Sequence, residues 1–235
     1  MGARRLEILA ILETAERLSA RVDDRFSGWG ISQLAHELVA LANETDQRVV
    51  RLGEPRRRLR AATIAAIAAL VAVLGYSASK ARLGLEVDGA NEWLDVFQNG
   101  IQSLVFIGIG VVFLTGIEGR LKRREALTGL HELRSFAHVI DMHQLTKDPD
   151  SVLNPQMRAD HSPERPFTRF ELGRYLDYCS EMGSLTSKLA ALYAQESQDP
   201  VILSTVTGIQ DLAGSLSSKV WQKIVILNTF DEADV

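Results

Sequence analysis

Hydrophobic residues follow two contrasting patterns along the chain, one continuous and one periodic. Two continuous blocks, over residues 61–76 and 100–117, contain no Asp, Glu, Lys or Arg. A helix needs roughly 20 apolar residues to cross the ~30 Å hydrocarbon core of a bilayer, and each block approaches that length once its uncharged flanks are included. The pattern predicts two transmembrane helices, over residues 61–79 and 98–117, joined by a short outside loop over residues 80–97.

Basic residues lie almost entirely on one side of these two blocks. Six arginines precede the first block and four basic residues follow the second, whereas the connecting stretch holds only Lys80 and Arg82 together with four acidic residues. Cytoplasmic flanks of membrane helices carry an excess of Lys and Arg. We therefore expect a multi-pass protein of the plasma (inner) membrane, with both termini in the cytoplasm and the lipid bilayer as its first partner.

The periodic pattern begins at the amino terminus, where apolar residues recur every three or four positions, as in amphipathic helices. The first series is Ile8, Ile11, Ala15, Leu18 and Val22, and the second is Leu34, Leu38, Leu41, Thr45 and Val49. Ser27, Gly28 and Gly30 form a turn between them. Residues 1–55 are therefore predicted to be a cytoplasmic helical hairpin.

Helical spacing resumes after the second block and continues over residues 118–146, which predicts a cytoplasmic extension of the second span. The extension should end before Pro149, because the residue before a proline disfavours the helical conformation. Residues 147–166 hold four of the six prolines and are predicted to be a linker.

Residues 167–235 are predicted to form a second cytoplasmic helical hairpin. Its first helix should bury Phe170, Tyr175 and Cys179, and its second helix should begin at Pro200. No segment shows a strand pattern that is not part of a longer helical one. The expected fold class is all-α: a two-span transmembrane helical hairpin over residues 56–117, with a cytoplasmic helical bundle made from the N- and C-terminal hairpins.

Composition and motifs exclude several classes of function. The net charge is −4, and Lys and Arg do not cluster outside the flanks of the two blocks, so nucleic acid is not an expected partner. The single cysteine, Cys179, excludes an intramolecular disulfide and a zinc-binding cysteine pattern. The sequence has no phosphate-binding glycine loop and no nucleophile elbow, so we expect no cofactor and no enzymatic activity.

The most distinctive local feature is HELRSFAHVIDMH, which contains three of the five histidines. On a helix, His131, Arg134, His138 and Asp141 share one face, which we call the polar stripe. His138 and Asp141 have the spacing of two metal ligands, and His143 is a further weak candidate, although such a site requires more ligands from another helix. The alternative is a polar face with local ion pairs and hydrogen bonds, which is the favoured interpretation.

Polar and small residues near the outer end of the second block raise the question of a pore. Asn99, Gln102 and Ser103 share a face, and Gly110 lies further along the same helix. These four positions are candidates for lining a pore. Alternatively, the three polar residues are interfacial and bond to water or to a neighbouring helix, which is the favoured interpretation. Neither block contains an ionisable residue of the kind that marks a proton relay.

Two hypotheses for function follow. Two short spans do not enclose a pathway alone, so the first is a homo-oligomeric pore or channel-type assembly whose copies associate through small-residue faces, with a cytoplasmic helical regulatory part. The second is a membrane-anchored scaffold or sensor whose cytoplasmic helices bind a protein partner or a ligand. A metal-dependent enzyme using His138, Asp141 and His143 is the least favoured alternative.

Overall fold

The structure is a computed structural model, and it describes residues 6–54, 57–84, 90–149, 152 and 167–229. Seven helices are formed by these residues. They are α1 (Ile8–Phe26), α2 (Gly30–Gly53), α3 (Arg57–Gly84), α4 (Ala90–Thr115), α5 (Ile117–Leu145), α6 (Arg169–Glu196) and α7 (Pro200–Thr229). The described residues contain no strand, so the predicted all-α class is confirmed for them.

The helices divide into two compact units. Residues 1–53 and 125–235 form the first unit, which we call the bundle, and residues 54–124 form the second unit. The bundle thus combines segments from both ends of the chain. A helical bundle was predicted from the periodic apolar residues on either side of the two uncharged blocks, and it is confirmed.

Helix α6 is the centre of the bundle. It packs against α7, α1 and α2, and its buried residues form a broad face that includes Leu172, Tyr175, Cys179 and Met182. A helix with so broad a buried face needs more than one neighbouring helix to cover it. The position of α6 explains why Cys179 and its neighbours are fully removed from solvent.

The helix α1 buries the stripe that its sequence predicts. Ile11, Ala15, Leu18 and Val22 are all buried, and Phe26 extends the stripe by one turn. The chain then reverses direction at Gly28, whose φ of +76° lies in the left-handed region that favours glycine. Burial of this stripe against α2 and α6 is the main stabilisation of an otherwise polar helix.

Local capping defines where α6 and α7 begin. The Thr168 hydroxyl accepts a hydrogen bond from the Glu171 backbone N–H, and the Glu171 carboxylate accepts one from the Thr168 N–H, which is a capping box. At α7, Pro200 occupies the first helical position and the Asp199 carboxylate accepts from the Val201 N–H.

The predicted burial of Phe170 is wrong. Its side chain is 68% exposed, because on a helix with 100° per residue it points away from Leu172 and Tyr175, which face the core. The three-four spacing places an apolar stripe on α6, and Phe170 lies outside it. An exposed aromatic ring is therefore present at the start of this central helix.

In the second unit, α3 packs against α4. Large apolar side chains are nevertheless exposed on both helices. They are Ile64, Val71, Tyr76, Ile101, Val105, Phe106, Ile109, Val112 and Phe113. Among the helices as far as they are described, none is both long enough and apolar enough to cross a membrane.

Helices α4 and α5 meet at Gly116. The Gly116 N–H donates to the Val112 carbonyl at 3.2 Å, and the Arg120 N–H donates to the Gly116 carbonyl at 3.2 Å. Both are hydrogen bonds with helical i to i−4 spacing. The Arg120 guanidinium also donates to the Phe113 carbonyl at 2.8 Å and lies 4.6 Å from the centroid of the Phe113 ring. The backbone hydrogen bonds thus continue through the junction.

Candidate functional site

The four residues of the polar stripe of α5 differ in their exposure to solvent. His131, Arg134 and His138 are exposed. Asp141, in contrast, has a side chain only 17% exposed; it accepts hydrogen bonds from Lys219 of α7 at 3.2 Å and from Gln144 at 2.9 Å. Three members of the stripe therefore face solvent, while the fourth joins α5 to α7.

The three weak metal candidates have different surroundings. His138 is exposed, Asp141 pairs with Lys219, and the Nδ1 of His143 lies 3.2 Å from the hydroxyl of Tyr175. Across the described ranges, no group of three or more His, Cys, Asp or Glu side chains is placed to hold a metal ion. Burial, assisted by the charge of Lys147, lowers the pKa of His143, so this imidazole is neutral at pH 7.

The end of α5 is held by two lysines. Lys223 of α7 donates to the carbonyl oxygens of Gln144 at 2.7 Å and Lys147 at 2.9 Å. The Lys147 ammonium in turn lies 5.3 Å and 5.4 Å from the ring centroids of Phe167 and Tyr175. Burial lowers the pKa of both lysines. Cations at a helix C-terminus satisfy its unpaired carbonyls, so this arrangement fixes the end of α5.

Cys179 lies in the same region and is fully buried. Burial raises the pKa of its thiol to about 12, although Lys147 and Lys223 act in the opposite direction. A thiolate is the nucleophilic form of cysteine. Cys179 therefore remains protonated at neutral pH and serves as a packing residue.

A second polar network joins α2 to α5 around Arg48. Its guanidinium pairs with Glu132 of α5 and with Glu44 of α2, the latter at 3.0 Å. The buried Tyr193 hydroxyl of α6 lies beside it, next to Gly129, and burial raises the pKa of that hydroxyl. The only sequence signal for this network was the four-residue spacing of Glu44 and Arg48, because the other partners are distant in sequence.

An open groove of about 690 Å³ runs between α2 and α5. We call it the α2–α5 groove. It is lined by Glu37, Leu41, Glu44, Thr128, His131, Glu132, Ser135, Phe136 and Val139. His131 is thus one member of the polar stripe that reaches a concave surface. The lining combines apolar side chains with three carboxylates.

A second groove of about 700 Å³ lies between the start of α1 and the middle of α6. Its lining includes Leu6, Ile11 and Leu185, together with Glu181 and Lys188. With Glu7, two carboxylates and one lysine line this groove.

The candidate pore-lining positions lie on α4. Gln102 is exposed and Gly110 is half-buried. Asn99 and Ser103 belong to the same helix, but their side chains lie outside the described residues. Gln102 shares a helical face with Phe106, Ile109 and Phe113, all three of which are exposed.

Comparison with protein-family models, with curated proteins and with solved structures finds no match for the chain.

Proposed function

We propose that this chain is an integral membrane protein that crosses the bilayer twice, over residues 61–79 and 98–117, and assembles into a homo-oligomeric pore. The observation that supports it best is the exposure of nine large apolar side chains on α3 and α4. Exposing apolar surface to water costs about 25 cal/mol per Å². Lipid and neighbouring copies are the surroundings in which these side chains are stable.

The charge distribution supports an orientation for this hairpin. Arginines precede the first uncharged block and four basic residues follow the second, so the bundle is proposed to be cytoplasmic. At the end of α4, the Arg120 guanidinium folds back onto Phe113 and its carbonyl. In the proposed orientation this guanidinium lies about one turn inside the cytoplasmic end of the span, where the Phe113 carbonyl and ring offset part of the cost of a charge at that depth.

The pore itself is proposed to lie along the face of α4 that contains Gln102. Two helices do not enclose a channel, so several copies must contribute one wall each. A polar residue on an otherwise apolar exposed face is stable when it contacts water or another copy. The bundle is proposed to be the cytoplasmic regulatory part.

Ion flux tests this proposal directly. The purified full chain is reconstituted into liposomes loaded with a fluorescent ion indicator, and efflux is measured at increasing protein-to-lipid ratios. We expect flux that rises more steeply than linearly with protein. Gln102→Leu should reduce the ion flux at least tenfold. Ser79→Ala is the matched control and should leave the flux unchanged, because the Ser79 hydroxyl bonds to the backbone carbonyl of Tyr76. Flux equal to that of empty liposomes, with the protein verified in the membrane, refutes the pore.

A membrane-anchored scaffold is the second candidate, and the α2–α5 groove favours it. A concave surface with an apolar floor and an acidic rim suits recognition of another protein. Under this alternative the same liposomes show no flux, while the chain still resists extraction from membranes by alkaline carbonate. The two proposals therefore share the membrane anchor and differ in conductance.

A further inference from the structure

An exposed pair of side chains projects from the bundle where α1 ends and α6 begins. Phe170 is 68% exposed, and the guanidinium carbon of Arg25, itself an exposed residue, lies 5.1 Å from the centroid of the Phe170 ring. Aromatic residues, including Phe, and Arg are enriched in the cores of protein interfaces. We call this pair the Arg25–Phe170 knob.

The α2–α5 groove has the complementary chemistry. Its apolar part is formed by Leu41, Phe136 and Val139, and its rim includes Glu37 and Glu44. No Lys or Arg is among the described residues that line it. Arg48 pairs with two of the rim carboxylates, whereas Glu37 has no ion-pair partner in the described part of the chain. The groove thus provides an apolar surface for an aromatic ring and a carboxylate for a cation.

We infer that the Arg25–Phe170 knob of one copy docks in the α2–α5 groove of the next copy. The Phe170 ring would cover the apolar floor, and the planar Arg25 guanidinium would pair with Glu37, because guanidinium and carboxylate match in geometry. This inference rests on the proposed homo-oligomer and specifies the contact between its bundles.

The proposed contact has a defined symmetry. The knob comes from α1 and α6 and the groove from α2 and α5, so the two sides of the interface are different surfaces. Such a heterologous contact repeats head to tail and closes into a ring when the rotation per copy permits. A ring of bundles is the arrangement that a pore formed by several copies requires.

Charge reversal tests the contact in the full chain, purified in detergent and sized by mass photometry. We expect Arg25→Glu and Glu37→Arg each to weaken assembly at least tenfold. The two substitutions combined in one chain should restore the wild-type size, because the charges are complementary again. Arg17→Glu and Glu16→Arg, at exposed positions of α1, are matched controls and should leave the size unchanged. Unfolding followed by circular dichroism verifies that each variant is folded.

Mixing the two single variants gives the sharpest result. In an equal mixture, Arg25 of the Glu37→Arg chain can meet the intact groove of the Arg25→Glu chain, and the two introduced side chains, which are opposite in charge, can meet at the next contact. The mixture should therefore assemble again, with the two variants alternating. Single variants that retain the wild-type size, or a mixture that remains monomeric, overturn the inference.

Cysteine crosslinking in native membranes separates this inference from the pore proposal. Gly173→Cys, one turn after Phe170, and Ser135→Cys, in the groove, are introduced together with Cys179→Ser. After oxidation we expect a ladder of disulfide-linked dimers and larger oligomers. A ladder without ion flux refutes only the pore, whereas flux without a ladder refutes only the contact between knob and groove.

Discussion

Replacing Gly129 by alanine should destabilise the bundle, although alanine is normally the better helix residue. Gly129 is buried in α5 against α6 and α2. A Cβ at this position would lie 2.9 Å from Nη1 of Arg48 and closer still to the hydroxyl of Tyr193. Neither neighbour moves easily, because Tyr193 is fully buried and Arg48 is held by Glu44 and Glu132.

The expected loss of stability in Gly129→Ala is the difference between two opposing effects. Overpacking a core costs about 1–3 kcal/mol, and so short a contact places Gly129→Ala at the upper end. The higher helix propensity of alanine stabilises the helix by about 1 kcal/mol, so the net free energy of unfolding should fall by about 2 kcal/mol. For a unit of this size, 1 kcal/mol shifts Tm by about 2–4 °C, which predicts a decrease of about 4–8 °C.

The assay is thermal unfolding of the full chain in detergent, followed by circular dichroism. Gly214→Ala on α7 is the matched control, because its Cβ would meet no atom within 4 Å; it should raise Tm by about 2–4 °C. Tyr193→Phe removes the nearest oxygen, so it should partly rescue Gly129→Ala in a double-mutant cycle. A Gly129→Ala chain as stable as the wild type, with Gly214→Ala stabilised as expected, would refute the packing argument.

Three other expectations concern single groups of the bundle. Cys179, with its raised pKa and full burial, should resist maleimide labelling at pH 8 until the protein unfolds; stoichiometric labelling of native protein contradicts this. Because the pKa of His143 is lowered in the folded protein, unfolding takes up a proton, and stability should decrease as the pH falls below about 6.5. His143→Gln should therefore reduce the change in the urea midpoint of unfolding between pH 7 and 5. Thr168→Ala removes the capping box and should lower the free energy of unfolding by about 0.5–2 kcal/mol. Amide hydrogen exchange in the first turn of α6 should become faster in this variant but not in Thr168→Ser.

The helical class and much of the core were accessible from the sequence because helical periodicity is local. Ile11, Leu18 and Leu38 are buried as their spacing predicts, and so is Cys179. The apolar character of Phe170 predicts burial, whereas its position on the helix places it outside the buried stripe of α6. A prediction of burial must therefore use the angular position of each residue on the helix, and not only the apolar character of its segment.

The candidate sites were less accessible, because they depend on contacts between residues distant in sequence. The polar stripe was identified, but the sequence does not indicate that Asp141 bonds to Lys219 of α7. The pairing of Arg48 with Glu132 and the α2–α5 groove arise only when α2 and α5 come together. A single sequence contains no local signal for such a contact.

The central position of α6 has a consequence for how the protein is made. The α1–α2 hairpin buries its apolar face against α6, yet roughly 115 residues separate the end of α2 from the start of α6. At ~5–20 residues per second, the nascent hairpin waits on the order of ten seconds for that helix, and both uncharged blocks are synthesised in the interval. The amino-terminal hairpin should therefore depend on chaperones during translation, and a chain released before residue 169 should be degraded.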